Sequence, residues 1–199
     1  MHNKNYSEKK PFAEVIEAEL TQFTAQCWKW DLMPFFGQLV SVNNIIGCVT
    51  EIKTGPHDTM HTVTAYGLSE EQLKKEQPQI FELLTTTFEV LVMGYFDEPT
   101  DFSPSIPPYP AKIHGFVNNA DGKTLKLILQ NAKNLGKILS SQLNTNIKTE
   151  LLASAFKQFL QVEEINTEFL EELYNCLLKH PEYQSTQIRE IYKQLEKTL

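Results

Sequence analysis

Hydrophobic positions change their period near the middle of the chain. From Val15 to Trp30 the sequence is rich in β-branched and aromatic residues, and Phe23, Ala25 and Cys27 alternate with Thr24, Gln26 and Trp28. An alternation of two places one set of side chains on each face of a strand, so one long or two short strands are expected here. Phe36 to Val42 and Ile45 to Lys53 are apolar runs separated only by Asn43-Asn44. Asparagine tolerates the left-handed dihedrals of a tight turn, which predicts a hairpin. Gly55-Pro56 opens a loop, and Thr62 to Tyr66 reads as a returning strand. Thr86 to Asp97 alternates again, with Phe88, Val90 and Val92 on one face and Leu91, Met93 and Tyr95 on the other. Two apolar faces predict a central, covered strand. Ala111 to Val117 closes the β-rich part.

Two breaks interrupt this pattern. Ser69-Glu70-Glu71-Gln72 has the form of a capping box flanked by Leu68 and Leu73, which starts a helix, and Pro78 divides that helix from a second piece through Ile80, Phe81 and Leu84. Five of the ten prolines fall within EPTDFSPSIPPYP, residues 98–110, and force an extended connection. Its PxxP spacing also occurs in SH3 ligands, but a stiff link between strands is the simpler reading.

From Thr124 the period becomes helical. Leu125, Ile128, Leu129, Ala132, Leu135, Leu139 and Leu143 predict one helix; Leu151, Leu152, Ala155, Phe156 and Phe159 a second. Leu170, Leu173 and Leu177 predict a third, and Ile188, Ile191, Tyr192 and Leu195 a fourth. The expected class is α+β: a six-stranded β-barrel with a short helical insertion over residues 11–120, then a helical region over residues 121–199.

Composition narrows the function. The formal charge is −7, but residues 1–120 carry 8 Lys and Arg against 15 Asp and Glu, whereas residues 121–199 carry 10 of each. An acidic β part disfavours direct nucleic-acid binding, which needs cations to neutralise phosphates. No apolar run reaches the ~20 residues of a membrane span, and MHNKNYSEKK lacks the form of a secretory signal. The expectation is a soluble cytoplasmic protein. Cys27, Cys48 and Cys176 share no C-x-x-C spacing and read as reduced, core-filling residues.

Candidate chemistry is sparse. Gly122-Lys123-Thr124 ends like a phosphate-binding loop, but Val117 stands where the first glycine of that motif belongs. His57, Asp58 and His61 have a spacing that chelates a metal when it lies on a helical turn, and His114 offers a further base; together they define the enzyme alternative, a metal-dependent hydrolase. Here the histidines fall in a Gly-Pro loop, where two imidazoles need not converge, and His114 inside a strand reads as structural. The expectation is therefore no catalytic, cofactor or metal residue. Trp28, Trp30, Phe35 and Phe36 read first as core; if exposed, they are the candidate anchors for a partner.

Three stretches carry a resemblance: Pro34-Phe35-Phe36-Gly37-Gln38-Leu39-Val40; Ala65-Tyr66-Gly67-Leu68-Ser69-Glu70-Glu71 through Gln77-Pro78-Gln79-Ile80-Phe81-Glu82-Leu83-Leu84; and Phe88 through Gly94-Tyr95. Together they resemble the HAS-barrel proteins, whose small barrel occurs in HerA-type translocases and at the N-terminus of ATP synthase subunits. The likeness covers residues 12–120. It implies self-assembly or docking on a partner such as a HerA-like ring ATPase, and it supplies no catalytic residues. Helices stand where fused members carry an ATPase domain, so ATP chemistry would belong to another polypeptide.

Overall fold

The computed structural model describes residues 10–57, 64–129, 131–161 and 167–179. The predicted helix around Ile188, Ile191, Tyr192 and Leu195 lies outside them, as do Asp58, His61, Thr62 and Val63.

The first strand region is a hairpin of β1 (Ala13–Ala18) and β2 (Gln22–Cys27). Phe23, Ala25 and Cys27 are buried at the alternation the sequence shows. A second hairpin joins β3 (Leu39–Val42) to β4 (Ile45–Pro56) through Asn43, whose φ of 53° is the left-handed value such a turn requires. Asn44 adds a tie by donating its side-chain amide to the Phe96 carbonyl at 2.9 Å. The long β5 (Leu84–Glu98) pairs with β4 on one side and β2 on the other. The short β6 (Asp101–Ser103) turns back onto the end of β5, and β7 (Phe116–Asn119) bridges β1 and β3.

These pairings close a six-stranded antiparallel barrel in the order β1-β2-β5-β4-β3-β7, with β6 outside the ring. Closure removes the free edges that short strands would otherwise expose. The interior is apolar: Val15, Phe23, Val40, Val42, Val49, Phe88, Val90 and Val117 pack together.

β5 is apolar on both faces, as predicted, but its faces exchange partway. The pairing Ile46 to Gly94 is followed by Gly47 to Val92, which leaves Met93 as an extra residue. A one-residue bulge reverses the side-chain alternation beyond it. Tyr95 therefore packs with the interior group of Val92, and not with Leu91 and Met93. Two predicted strands also need correction. Residues 64–69 are irregular, because Gly67 is left-handed (φ 68°) and Ser69 is committed to a helix cap. The closing strand begins only at Phe116, because His114 is itself left-handed (φ 63°) and Gly115 closes a turn onto Lys112.

The insertion follows the sequence except at its end, where Leu84, expected in the second helical piece, instead opens β5. α1 (Glu70–Glu76) carries the full capping box between Ser69 and Gln72, and Pro78 separates it from α2 (Gln79–Glu82). Beyond the barrel, the long helix predicted from Leu125 to Leu143 is broken into α3 (Gly122–Leu129), a 3₁₀ turn (Ala132–Leu135) and α4 (Gly136–Ser140). Two asparagines cause the break: the Asn131 side chain accepts from the Lys133 amide, and buried Asn134 donates to the Ile128 carbonyl at 2.9 Å. Side chains that bond nearby backbone groups compete with helix continuation. α5 (Thr145–Phe159) and α6 (Thr167–Leu178) complete the described helices.

The helices do not enclose a core of their own. Leu125, Ile128, Leu135, Ile138, Leu151 and Phe156 pack on Leu39, Ile46, Cys48 and Met93, the outward face of β3, β4 and β5. Residue 120 separates barrel from helices along the chain, but this second core spans it.

Burial sets the behaviour of the thiols. Cys27 is pushed up to about 11 and Cys48 to about 12, because desolvation opposes the thiolate. Cys176 is half-buried. A brief treatment with iodoacetamide at neutral pH is expected to label Cys176 ahead of the other two, read by mass spectrometry of the intact chain. Since the raised values favour the protonated native thiols, their contribution to stability is full below pH 9.0, the unfolded value, and falls as pH rises from there toward 12. Labelling of Cys48 in the folded protein at the rate of Cys176 would contradict this burial.

Candidate interaction surface

Residues 28–38 link β2 to β3, and eight of these eleven are hydrophobic, aromatic, proline or glycine. With no alternation to choose a face, burial is decided by what the backbone does. That backbone is tightly held. The Gln38 side chain accepts from the Phe35 amide at 2.9 Å, and the Gln38 amide donates to the Phe35 carbonyl at 3.0 Å, closing a local turn. Gly37, at φ +77°, donates to the Val49 carbonyl at 2.8 Å. From α5, the Ser154 hydroxyl donates to the Phe36 carbonyl at 2.8 Å. Buried Gln158 gives its amide hydrogen to the Gly37 carbonyl at 2.7 Å and accepts from the Leu39 amide at 2.9 Å. One helix thus satisfies three backbone groups, at Phe36, Gly37 and Leu39.

The side chains carried on this frame face water. Trp28 is 51% exposed, Leu32 54%, Met33 44%, Phe35 43% and Phe36 37%. The expectation that Trp28, Trp30, Phe35 and Phe36 form core is therefore corrected: three are exposed and Trp30 is half-buried. Nor do their rings form one cluster. Trp28 meets Phe116 edge to face with centroids 5.4 Å apart, and its indole donates to Glu14 at 3.4 Å. Trp30 stacks on Phe81 of α2 at 5.4 Å, while its carbonyl accepts from the buried Thr86 hydroxyl at 2.6 Å. The Lys74 ammonium lies 5.6 Å from the same Phe81 ring, a cation–π contact that covers its flank. Leu32, Met33, Phe81 and Phe116 join the surface without having been singled out in the sequence. For Leu32 and Met33 the signal was present as an apolar run lacking any period.

Of the residues of the enzyme alternative, the structure describes His57 and His114, and it does not bring these two together. His57 is exposed just beyond β4, with its backbone amide on the Leu83 carbonyl at 2.7 Å; its proposed companions Asp58 and His61 lie outside the described residues. His114 sits in a turn and not within a strand, and its imidazole contacts the Glu14 carboxylate of β1. In the ring order β1 lies opposite β4, so His114 and His57 belong to different walls. Among the described residues, no three His, Cys, Asp or Glu side chains are grouped to hold a metal ion. At Gly122-Lys123-Thr124, the Asp121 carboxylate accepts from the Thr124 amide at 2.8 Å, placing a negative charge at the mouth of the motif. That arrangement caps a helix and repels phosphate. No described helix is long and apolar enough to cross a membrane.

No protein family, curated protein or solved structure matches this chain. The surface must be read from its own chemistry.

Proposed function

We propose that this chain is a non-catalytic binding and assembly protein of the cytoplasm, which docks through the 28–36 face on a protein partner or on a second copy of itself. The observation that carries this reading is the contrast within one loop. Its backbone is pinned by Gln38, Ser154 and Gln158, while Trp28, Leu32, Met33, Phe35 and Phe36 remain exposed. A surface already fixed in shape loses little conformational entropy on binding, and aromatic anchors of this kind dominate interface energies. The closed barrel and the likeness of residues 12–120 to HAS-barrel proteins support a ring ATPase of the HerA type as the partner class. ATP hydrolysis then belongs to that partner.

The test pairs sedimentation of the purified chain with titration onto a purified HerA-type ATPase. Trp28→Ala and Phe35→Ala are each expected to weaken the association about tenfold or more, with an unchanged melting temperature. A strictly monomeric chain that binds no ATPase would remove this reading. Elemental analysis finding a stoichiometric transition metal that is lost on His61→Ala would replace it with the metal-dependent hydrolase.

A further inference from the structure

A cleft of about 530 Å³ opens between the β1–β2 turn, the middle of β5 and the end of α4, away from the 28–36 face. Ligand sites in proteins fall at about 300–1,000 Å³, lined by apolar side chains with a few polar groups that orient the occupant. This cleft has that size, with five apolar and seven polar or charged residues along its wall. Leu91 and Leu143 are half-buried and Val92 is buried at its base, and Leu20 and Ile106, each about half exposed, complete the apolar lining. Two charges face it. Lys137 is half-buried on α4 and has no carboxylate partner among the described residues, unlike Lys53 and Lys74, which are paired with glutamates. Glu19 comes from the β1–β2 turn, where the Gln22 side chain donates to its carboxylate at 3.4 Å and the Glu19 amide donates to the Gln22 carbonyl at 2.8 Å.

A carboxylate with an apolar body gives the Lys137 ammonium a charge-assisted hydrogen bond, while its body covers the leucines. Glu19 sets the limit on charge, because a second carboxylate on the ligand would meet a fixed negative group. We infer that this cleft binds a monocarboxylate with an aliphatic body, Lys137 holding the carboxylate and Leu20, Leu91, Ile106 and Leu143 the chain. The same chemistry is offered by a free aliphatic acid and by a polypeptide ending in leucine.

The experiment is calorimetric titration of the full chain with octanoate, with suberate as the dicarboxylate, and with a hexapeptide ending in leucine as the free acid and as the amide. Octanoate or the free-acid peptide is expected to bind, and whichever binds more tightly identifies the source. Suberate and the peptide amide should bind at least about tenfold more weakly than their partners, the scale of one charged hydrogen bond. Lys137→Met should weaken the bound probe by a similar factor, and Lys137→Arg should retain it, both with the melting temperature of the parent. The inference is overturned if neither probe binds, if suberate binds as well as octanoate, or if Lys137→Met binds as tightly as the parent. The cleft shares no residue with the 28–36 face, so loss of this site leaves the docking proposal standing.

Discussion

Gly37→Ala is expected to destabilise the protein by about 3–5 kcal/mol. A left-handed residue with a Cβ costs roughly 1–2 kcal/mol for its backbone alone. Here φ is +77°, and the new carbon would lie 2.4 Å from the Ser154 Cβ, a distance no pair of carbons tolerates. Either α5 or the loop must move. Either movement strains the bonds from Gln158 to the Gly37 carbonyl and Leu39 amide, and a buried group left without its partner costs about 1–3 kcal/mol. Gly55→Ala is the control, since a Cβ there meets open space; its stability should stay within about 0.5 kcal/mol of the parent. Urea unfolding of both variants reads the result. A loss below about 1 kcal/mol for Gly37→Ala would mean that the loop is not pinned by α5. The proposed docking face would then lack the fixed shape on which it rests.

How much of this could be read from residues alone depends on how local each cause is. The β3–β4 turn and the α1 cap were legible because Asn43-Asn44 and Ser69 to Gln72 act within four residues. The alternation in β2 was legible because Phe23, Ala25 and Cys27 face one interior throughout. Tyr95 was misplaced because the Met93 bulge arises from pairing with β4, which no pattern within β5 records. The helix break before α4 is not legible because the apolar spacing of Leu125 to Leu143 runs straight across it, and that spacing does not record the backbone bonds of Asn131 and Asn134. The aromatic loop was read as core because composition reports hydrophobicity and not the direction a pinned backbone gives it. One signal was available and went unused. Gln158 falls three residues after Ala155 and seven after Leu151, on the buried stripe of α5; Lys148, three before Leu151, does the same. A polar side chain at such a position has to find a partner. Gln158 finds the loop backbone, and Lys148 donates to the Leu139 carbonyl at 2.8 Å.

Phe88→Ala and Phe156→Ala are each expected to cost about 3–5 kcal/mol, the range for a buried phenylalanine whose cavity cannot collapse. Phe88 fills the barrel and stacks on Phe12 at 5.8 Å; Phe156 lies among the helices against the outward face of the barrel. The comparison between them matters more than either value. β3, β4 and β5 present one face to Phe88 and the other to Phe156, so loosening either packing deprives the same strands of support. Both variants should therefore unfold in a single step, with midpoints that agree between two probes. The probes are well separated: both tryptophans, Trp28 and Trp30, report on the barrel, whereas far-UV dichroism is dominated by α3 to α6. If Phe156→Ala lowers the dichroism midpoint and leaves the fluorescence midpoint in place, the helices form an independent unit and residue 120 is a domain boundary. If the two midpoints move together, the helices are a structural part of the barrel. The loop that Ser154 and Gln158 hold in shape then depends on the folding of the whole chain.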